Sequence, residues 1–387
     1  MSRELIKVAV VEPVGGHGGC HYYDISLCRS LQNFGFDPTL YTCDETEVTG
    51  DEGIPIDLVY KGIYGKAPSW QRGLLFLKAS IATLTRARFS GTKIAHFHFY
   101  HVGFLELFNV LFAKLLLLKI VITAHDVEAF KEGLSIKLFV KWAYGLANAV
   151  IAHNQISRQE LLDKVRLPEN LIHVIPHGNH IDYVRHNLTR ANACSALGIS
   201  EKDFVIVFFG QIKEVKGVDL LLKAMPTVLN NSSQKIRLVI AGRVWKDDFT
   251  KYQKLIDELD LADNISLFIR YISDEELPNF YCAANIMVLP YTRIYQSGVV
   301  LMAMTFGKAV LVSNIPGMLE VVTDKKNGLV FETENIESLS EQILWSINNI
   351  EALDVIAQSG QDLMFTDYSW EKVGQLTTKL YRQILST

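Results

Sequence analysis

The stretch DFVIVFFGQIKEVKGVDLLLKAMPTVL (203–229) decides the fold, because a buried strand, a glycine-flanked loop and an amphipathic helix follow one another directly. The loop GQIKEVKG (210–217) carries Lys213 and Lys216 just before the helix. A helix N-terminus already gathers unpaired N–H groups and a partial positive charge, so added cations there favour a bound anion. We therefore predict a phosphate site in this loop. The plain alternative is a glycine turn with two solvated lysines.

Strands and helices alternate over the whole chain in both directions from this stretch. Such alternation predicts parallel sheets with helices on both faces. A polar connection at 177–203 separates two series, so we expect an α/β protein with Rossmann-like, doubly wound domains at 1–185 and 186–365 and a terminal helix at 366–387. If the two sheets face each other, ligands bind in a cleft at the strand carboxyl ends. The apolar runs that read as strands are IKVAVVEP, PTLYTC, IAHFHF, KIVITAHD, AVIAHN, IHVIPHG, DFVIVFFG, IRLVIAG, ISLFIRY, NIMVLPY, AVLVSN and GLVFE.

The composition is that of a compact globular protein. Hydrophobic residues make up 49% and charged residues 21% of the 387 residues. A net charge of −4 argues against a dedicated nucleic-acid binder. The sequence shows no secretory signal, and its five cysteines lack disulfide or CxxC spacing, so we predict a cytoplasmic protein. Charges interrupt the apolar stretch 102–123, which favours a core helix followed by a strand over a membrane span.

The segment 61–122 is strongly basic, with nine lysines and arginines against one acid, Glu106. Within it, WQRGLLFLKASIATLTRARF (70–89) spaces apolar residues as a helix does and intersperses basic ones. One hypothesis is an interfacial helix that settles on an anionic membrane, such as the inner face of the plasma membrane. The alternative is a surface helix that covers its own core and leaves a solvated basic face.

A glycine cluster, GGHGG at 15–19, separates the first strand from its helix. Clustered glycine permits a positive φ and close approach of the backbone to a ligand, which suits a phosphate or a sugar. The spacing is not G-x-G-x-x-G, so it does not predict a dinucleotide site. A simple tight turn is the alternative.

Histidines mark two strands of the first domain. The run IAHFHFYH contains His96, His98 and His101, and KIVITAHD ends in His125 and Asp126. His96 and His98 share one strand face among large apolar residues, so we favour a structural role for them over a zinc site. His125 stands at a strand's carboxyl end, where a reacting group meets a ligand, and we predict a functional role for it.

Three loops of the second domain join the lysine loop at the same predicted sheet edge. Gly242 and Arg243 follow one strand, and Arg270 and Tyr271 follow the next. The helix SGVVLMAMTFG (297–307) begins after a polar loop and offers a further set of free N–H groups. Two helix N-termini and two lysines together favour a diphosphate ligand.

Taken together, these motifs resemble the family 4 glycosyltransferases, retaining enzymes of the GT-B class with two facing Rossmann-like domains. The resemblance covers nearly the whole chain. It implies that the first domain binds the acceptor, the second binds the nucleotide-sugar donor, and the closing helix crosses back to the first domain. The motifs that carry it are GGHGG, TAHD, AVIAHN, IPHG, GQIKEVKG, RYISDEEL, YCAANIMVLPY, SGVVLMAMTFGKAVLVSNIPGMLEVV and NGLVF.

The resemblance also implies roles for single residues. As catalytic residues, His125 contacts the transferred sugar, and Lys213 and Lys216 stabilise the diphosphate as it leaves. The acceptor-binding residues that the resemblance implies are His17, His98 and Asp126. The donor-binding residues that it implies are Gly16, Gly18, Gly19, Gly210, Gln211, Arg243, Arg270, Tyr271, Ser297, Gly298, Val299 and Glu320.

The sequence departs from the family pattern at two places. Gln211 stands where the family usually has arginine, and Lys213 is the expected replacement for that charge. Ile294 and Met302 stand at both positions of the E-x7-E element, whose second glutamate usually holds the ribose, whereas Glu320 matches a glutamate further along.

The predicted function is retaining transfer of a sugar from a UDP- or GDP-linked donor to a hydroxyl of a lipid-linked or oligosaccharide acceptor, in surface polysaccharide or glycolipid biosynthesis. No metal or other cofactor is expected. One alternative is a non-catalytic GT-B protein that binds sugar nucleotides or assists assembly, as Ile294 and Met302 suggest. Another is an epimerase or phosphorylase of the same architecture.

Overall fold

A computed structural model of the chain describes residues 5–18, 21–125, 134–185, 187–294 and 297–386. The chain forms two compact units. Unit 1 comprises Met1–Gly178 and Tyr368–Thr387, and unit 2 comprises Asn179–Asp367.

The division between the units falls after residue 178, before the boundary at 185 that we expected from the sequence. The residues that follow already bond within unit 2. Asn179 Nδ2 donates to the Met364 carbonyl at 3.0 Å, and the His180 amide donates to Thr305 Oγ1 at 3.3 Å.

Unit 1 is built on a parallel sheet of seven strands in the order β3-β2-β1-β4-β5-β6-β7. Its strands are β1 (Ile6–Glu12), β2 (Phe36–Cys43), β3 (Ile56–Tyr60), β4 (Ile94–Phe99), β5 (Lys119–Ala124), β6 (Ala149–Ala152) and β7 (Ile172–Val174). The helices between them are α1 (Gly15–Gly18), α2 (His21–Gln32), α3 (Ser69–Phe89), α4 (Phe104–Leu115), α5 (Leu134–Gly145) and α6 (Gln155–Glu160).

Unit 2 is built on a parallel sheet of six strands in the order β10-β9-β8-β11-β12-β13. Both sheets are doubly wound, which confirms the predicted fold class. The strands are β8 (Phe204–Phe209), β9 (Ile236–Ala241), β10 (Ile265–Phe268), β11 (Ile286–Leu289), β12 (Ala309–Ser313) and β13 (Leu329–Phe331). The helices are α7 (Arg190–Ala196), α8 (Val218–Asn230), α9 (Thr250–Glu258), α10 (Leu277–Ala283), α11 (Gly298–Thr305), α12 (Pro316–Leu319), α13 (Ile336–Asn348) and α14 (Ile350–Thr366).

The last helix, α15 (Trp370–Ser386), belongs to unit 1 and packs on α2. Ser369 Oγ accepts from the Lys372 amide at 3.2 Å and so begins the helix as an N-cap residue does. Ser30 Oγ donates to the Trp370 carbonyl, which joins the start of α15 to the last turn of α2. The C-terminal residues therefore complete one face of the first sheet.

Strand β4 divides its side chains between the two faces of that sheet. Ala95, Phe97 and Phe99 enter the core on the α3, α4 and α5 side. His96 and His98 point to the opposite side, where α2 and α15 lie, and both are buried. Because side chains alternate along a strand, two histidines two residues apart reach the same face, as the sequence predicted.

Candidate functional site: two strand-end edges

Gly210 and Gly242 fix the course of the chain at the carboxyl ends of β8 and β9. Their φ angles are 124° and 144°, which favour glycine. A Cβ added at Gly242 would lie 1.8 Å from the Gly210 carbonyl oxygen, so any larger residue collides with the neighbouring backbone. The Gly210 amide in turn donates to the Ala241 carbonyl at 3.0 Å. We call this close approach of the Gly210 and Gly242 backbones the glycine crossing, and the lysine loop begins there.

The lysine loop, 210–217, is held against the segment that follows β11. The Thr292 amide donates to the Val215 carbonyl at 3.0 Å. Gly217, with φ 64°, lies so close to Pro290 that an added Cβ would be 2.0 Å from its carbonyl oxygen. The Lys216 ammonium lies 3.6 Å from the centroid of the Tyr291 ring, in a cation–π contact. Lys216 is thus positioned at the strand edge rather than left in solvent.

The N-terminus of α11 adjoins this loop. Ser297 caps the helix, since its Oγ accepts from the Val300 amide at 3.4 Å. A Cβ added at Gly210 would lie 3.6 Å from Val299 Cγ2, which places the first turn of α11 beside the start of the lysine loop. The structure therefore brings together six of the sequence-predicted residues: Gly210, Lys213, Lys216, Ser297, Gly298 and Val299.

Other predicted donor residues lie at or near the same edge in different settings. The Arg243 carbonyl accepts from the Ile212 amide at 2.9 Å, and its guanidinium lies 5.1 Å from the Trp245 ring. The Arg270 guanidinium pairs with both carboxylate oxygens of Glu276, at 2.8 and 2.6 Å.

Three further predicted donor residues differ in their exposure to solvent. Tyr271 is 67% exposed. Gln211 is exposed, and Glu320 is half-buried after α12.

The glycine cluster of unit 1 forms the short helix α1 against β2. Glu12, buried at the end of β1, accepts from the Val14 amide at 2.9 Å and also from the Gly15 amide. The Gly16 amide donates to Thr46 Oγ1 at 3.0 Å. Gly18 ends α1, whereas the predicted site residues Gly19 and Asp126 lie outside the described residues.

The predicted acceptor residue His17 lies on this helix and is exposed. It stacks on Tyr64 with ring centroids 3.8 Å apart, and its Nδ1 lies 2.7 Å from Glu45 Oε2.

Four histidines from successive strand ends surround the Tyr23 ring of α2. Their ring centroids lie between 4.7 and 5.5 Å from that of Tyr23. The sequence analysis had selected two of them and missed the others, although the runs AVIAHN and IPHG have histidine as their last residue but one, just as TAHD does. A histidine repeated at consecutive strand ends was the available signal. The four are His98, His125, His153 and His177.

Two of these histidines form a directed hydrogen-bond chain. Burial lowers the pKa of His153 to about 3 and holds the pKa of His125 well below its usual value, so both rings are neutral near pH 7. His153 Nδ1–H donates to the Ile175 carbonyl at 3.0 Å. Its Nε2 then accepts from His125 Nδ1–H at 3.2 Å. His125 Nε2 is buried and has no hydrogen-bond partner within the described part of the chain.

Asp24, Glu12 and His98 form a second buried network that the sequence analysis missed. Asp24 Oδ1 lies 2.5 Å from His98 Nδ1, and both side chains are fully buried. Burial, followed by the neighbouring charge of Asp24, raises the pKa of Glu12 to about 8. Burial likewise raises the pKa of Asp24 well above its usual value. The hydrogen bond between Asp24 Oδ1 and His98 Nδ1 fixes the orientation of the imidazole.

Metal binding finds no support at this edge in the parts of unit 1 that are described. Although histidines and carboxyl groups cluster there, no group of three or more described His, Cys, Asp or Glu residues is arranged to hold a metal ion. His96 is instead bonded through both ring nitrogens, to Tyr381 Oη at 2.6 Å and to Thr123 Oγ1 at 2.7 Å.

The helices α3, α4 and α5 lie side by side and expose apolar side chains outward. Helix α4 is followed by strand β5, as expected, and buries Leu107, Val110 and Ala113 in the core. Helix α3 covers the core with Phe76 and Leu84. Both helices also leave part of their apolar side chains exposed. No helix among the described residues has both the length and the apolar character to cross a membrane. We call the exposed set the outer apolar surface: Trp70, Leu74, Ile81, Phe89, Phe104, Leu111, Leu115, Leu117, Leu138 and Trp142.

Two family descriptions match the chain, one in each half. Residues 17–183 match "Glycosyltransferase Family 4", and residues 190–362 match "Glycosyl transferases group 1". The lipopolysaccharide 1,2-N-acetylglucosaminetransferase of Salmonella typhimurium is 30% identical over 219 residues, 54% of this chain and 56% of that protein. An uncharacterized glycosyltransferase of Methanocaldococcus jannaschii is 24% identical over 240 residues, 60% of this chain and 59% of that protein. The matches thus span somewhat over half the length of these curated relatives.

Solved structures match over nearly the full length. A glycosyltransferase from Rickettsia africae superimposes with a TM-score of 0.78 at 18% identity, covering 99% of both chains. Anabaena HepE, solved in complex with UDP, gives a TM-score of 0.76 at 17% identity and covers 98% of this chain and 100% of its own. At such identities the likeness establishes a shared fold and nothing finer.

Proposed function

We propose that this chain, which belongs to the family 4 glycosyltransferases through matches in both of its halves, transfers a sugar from a nucleotide diphosphate sugar to a hydroxyl group with retention of configuration. The observation that carries the proposal is the edge of unit 2. There the Lys216 ammonium, the glycine crossing and the first turn of α11 are neighbours. Cations and unpaired helix N–H groups in one place suit a diphosphate.

The donor end of the reaction is then assigned to unit 2. The diphosphate binds to Lys216 and to the amides of Gly298 and Val299, with Lys213 as a second cation. Charge builds on the departing phosphate as the bond between it and the sugar breaks. Donors fixed in place before the reaction stabilise that charge at no reorganisation cost, and removal of one such donor typically costs about 2.7–4 kcal/mol in the barrier.

The transfer itself needs no carboxylate nucleophile in this proposal. The bond from the anomeric carbon to the phosphate oxygen breaks, and the acceptor oxygen bonds to the same face of the anomeric carbon. The departing phosphate oxygen takes the acceptor's hydroxyl proton. His125 contacts the transferred sugar, and its buried Nε2 acceptor is suited to a sugar hydroxyl. No metal or other cofactor is invoked.

The acceptor is proposed to be a lipid-linked or oligosaccharide hydroxyl, reached from an anionic membrane. The outer apolar surface supports this part. Its side chains lie on three adjacent helices and, for Leu117, in the turn after α4. Four basic residues are exposed on those same helices: Lys78, Arg88, Lys114 and Lys141. Apolar groups that enter the interface beside cations that attract anionic lipid form a peripheral membrane surface. The protein would then act at the inner face of the plasma membrane.

The test of donor binding is a thermal-shift screen of UDP, GDP, ADP and their common sugars. The full chain is compared with Lys216→Ala and with the matched control Lys235→Ala, an exposed lysine before β9 at the opposite edge of the same sheet. A ligand at 100 times its dissociation constant stabilises the folded state by about 2.7 kcal/mol. We expect one nucleotide to raise the midpoint of the wild type and of Lys235→Ala but not of Lys216→Ala.

Transfer is tested by release of free nucleoside diphosphate with and without a glycan or lipid-linked acceptor. Acceptor-dependent release supports the proposal. Binding without turnover favours a non-catalytic GT-B protein, the alternative that Ile294 and Met302 suggest because neither side chain carries a carboxylate to hold a ribose. Turnover without any acceptor favours an epimerase or phosphorylase. No nucleotide binding at all overturns the proposed function.

A further inference from the structure

Tyr291, two residues after the end of β11, contacts the lysine loop and adjoins the start of α11. Its side chain is fully buried. The Lys216 ammonium lies 3.6 Å from the centroid of its ring, within the range of a cation–π contact. Lys216 is half-buried, so the contact is partly removed from water and the attraction is stronger than at an exposed site.

The far end of the Tyr291 side chain adjoins the cap of α11. Burial raises the pKa of the Tyr291 phenol, and the neighbouring Ser297 hydroxyl partly offsets that rise. Ser297 Oγ also accepts from the Val300 amide at 3.4 Å, which marks the first turn of α11. Tyr291 Oη has no hydrogen-bond partner among the described residues, so proximity and not a hydrogen bond relates it to the cap. One buried side chain therefore lies beside both elements that the proposed function assigns to the diphosphate.

The backbone that carries this side chain is fixed by two neighbours. Ser313 Oγ, at the end of β12, donates to the Tyr291 carbonyl. The Thr292 amide donates to the Val215 carbonyl of the lysine loop at 3.0 Å. A ring on a backbone held in this way is a fixed support, whereas a lysine side chain is a flexible four-carbon stem. The position of the ring therefore sets that of the ammonium.

We propose that Tyr291 is a positioning residue whose ring holds the Lys216 ammonium beside the first turn of α11, so that the lysine and the helix amides contact one diphosphate. Tyr291 touches no substrate itself, because it is fully buried. A lysine that is ordered before the ligand arrives does not have to be ordered by the ligand, and this saving raises affinity. The inference rests on the proposed function, to which it adds a residue outside the predicted set.

The main test is a double-mutant cycle on anion affinity, measured on the full chain by calorimetric titration with inorganic pyrophosphate and separately with UDP and GDP. Tyr291→Leu should raise the dissociation constant about tenfold, the effect of a cation–π contact that is partly removed from water. In the Lys216→Ala background the same substitution should change it less than twofold, because Tyr291 acts only through the lysine. Equal losses in both backgrounds would overturn the proposal.

Tyr291→Phe is the conservative variant. It keeps the ring and removes only a hydroxyl that has no hydrogen-bond partner among the described residues. We expect the folded state to be as stable as the wild type and the pyrophosphate affinity to stay within twofold. An affinity as low as that of Tyr291→Leu would show that the ring face is not what supports Lys216.

Tyr252→Leu is the matched control for the loss of a buried ring. Tyr252 is 1% exposed and also lies under a lysine, with the Lys251 ammonium 4.8 Å from its ring centroid. Urea denaturation should show a loss of stability in Tyr252→Leu as in Tyr291→Leu, whereas the pyrophosphate affinity should fall only in Tyr291→Leu. A similar fall in both variants would trace the effect to general loosening of unit 2, and the proposal would fail.

A spectroscopic readout follows Lys216 without any ligand. Protons above an aromatic ring are shifted upfield by its ring current. In the full chain with ¹³C-labelled lysines, the Hε signal that Lys216→Ala lacks should lie upfield in the wild type and in Tyr291→Phe. It should return to the ordinary lysine range in Tyr291→Leu. An upfield signal that survives Tyr291→Leu would show that another contact holds the ammonium.

The titrations separate this inference from the proposed function. If UDP or GDP binds the wild type and Tyr291→Leu equally well, the inference fails and the proposed function stands. If pyrophosphate binds in a Tyr291-dependent manner and no nucleotide binds, the positioning of Lys216 stands and the proposed function fails. If neither pyrophosphate nor a nucleotide binds the wild type, both fail.

Discussion

The strand-end edges of the two sheets differ in chemistry although the sheets share one topology class. The edge of unit 1 ends in buried imidazoles and carboxyl groups that hydrogen-bond one another, as with Asp24 and His98 at 2.5 Å. The edge of unit 2 ends in glycines, helix amides and lysines, as with Lys216 over Tyr291. The first edge presents neutral hydrogen-bonding groups, and the second presents cations beside a helix N-terminus.

The difference arises from how each edge treats charge. Burial lowers the pKa values of His98 and His153 and raises that of Glu12, so all three groups are neutral near pH 7. In unit 2 the Lys216 ammonium stays charged. Its position is set because Gly217 lets the loop approach the Pro290 backbone closely. A doubly wound fold thus leaves the choice of ligand to the loops.

The largest expected effect tests the anionic edge. Lys216→Ala should lower the rate of transfer about 10²–10³-fold, because it removes a preorganised contact to the departing phosphate. The measurement is nucleoside diphosphate release under saturating donor, with Lys235→Ala as the matched lysine control. A rate within twofold of the wild type would show that Lys216 serves only its contact with Tyr291.

Gly242→Ala tests the glycine crossing. The added Cβ would meet the Gly210 carbonyl oxygen at 1.8 Å in a backbone conformation with φ 144°, so the loop must move. Backbone strain of this kind costs about 1–3 kcal/mol. Urea denaturation should show that loss, and nucleotide affinity should fall with it. Gly50→Ala is the control, since Gly50 also has positive φ but open space around it. Equal effects at both glycines would mean that the close approach is unimportant.

The outer apolar surface should carry a smaller effect on membrane binding. Leu111→Ser with Leu115→Ser removes two exposed side chains of α4, 49% and 75% accessible. We expect flotation with vesicles of anionic phospholipid to fall about tenfold, since each apolar side chain gains on the order of 1 kcal/mol in a partly buried interface. Val355→Ser with Phe365→Ser on α14 of unit 2 is the matched pair and should leave flotation unchanged. Equal binding by both double variants would remove the membrane part of the proposal.

Glu12→Gln should flatten the pH dependence of stability. The pKa of Glu12 is raised to about 8 in the folded chain, above its usual 4.5, so the folded state holds the proton more tightly. Its contribution is complete below pH 4.5 and is lost as pH rises through 8. Between these limits the wild type should lose up to about 1.4 kcal/mol per pH unit more than Glu12→Gln. The histidines near Glu12 titrate in the opposite sense and are common to both proteins. Parallel stability curves from urea denaturation at pH 5–8 would contradict the assigned proton.

Much of this molecule follows from local patterns. The alternation of strands and helices predicted both parallel sheets, and the motif set predicted the family, which matches in both halves confirm. The lysine loop was found because a glycine, a lysine and a helix start are close in sequence. The residue roles stay predictions, and the retaining mechanism and the donor do as well.

The sequence by itself determined the secondary structure, the strand-end position of Lys216 and His125, and the family, because each is encoded within a few neighbouring residues. Only the tertiary structure decided what meets at each edge. Asp24 reaches His98 across 74 positions, and Tyr381 reaches His96 across 285. It also decided that Leu111 and Leu115 face outward, since helical periodicity marks an apolar stripe without saying what it faces. Long-range pairing and burial depend on packing of the whole chain, which no short window contains.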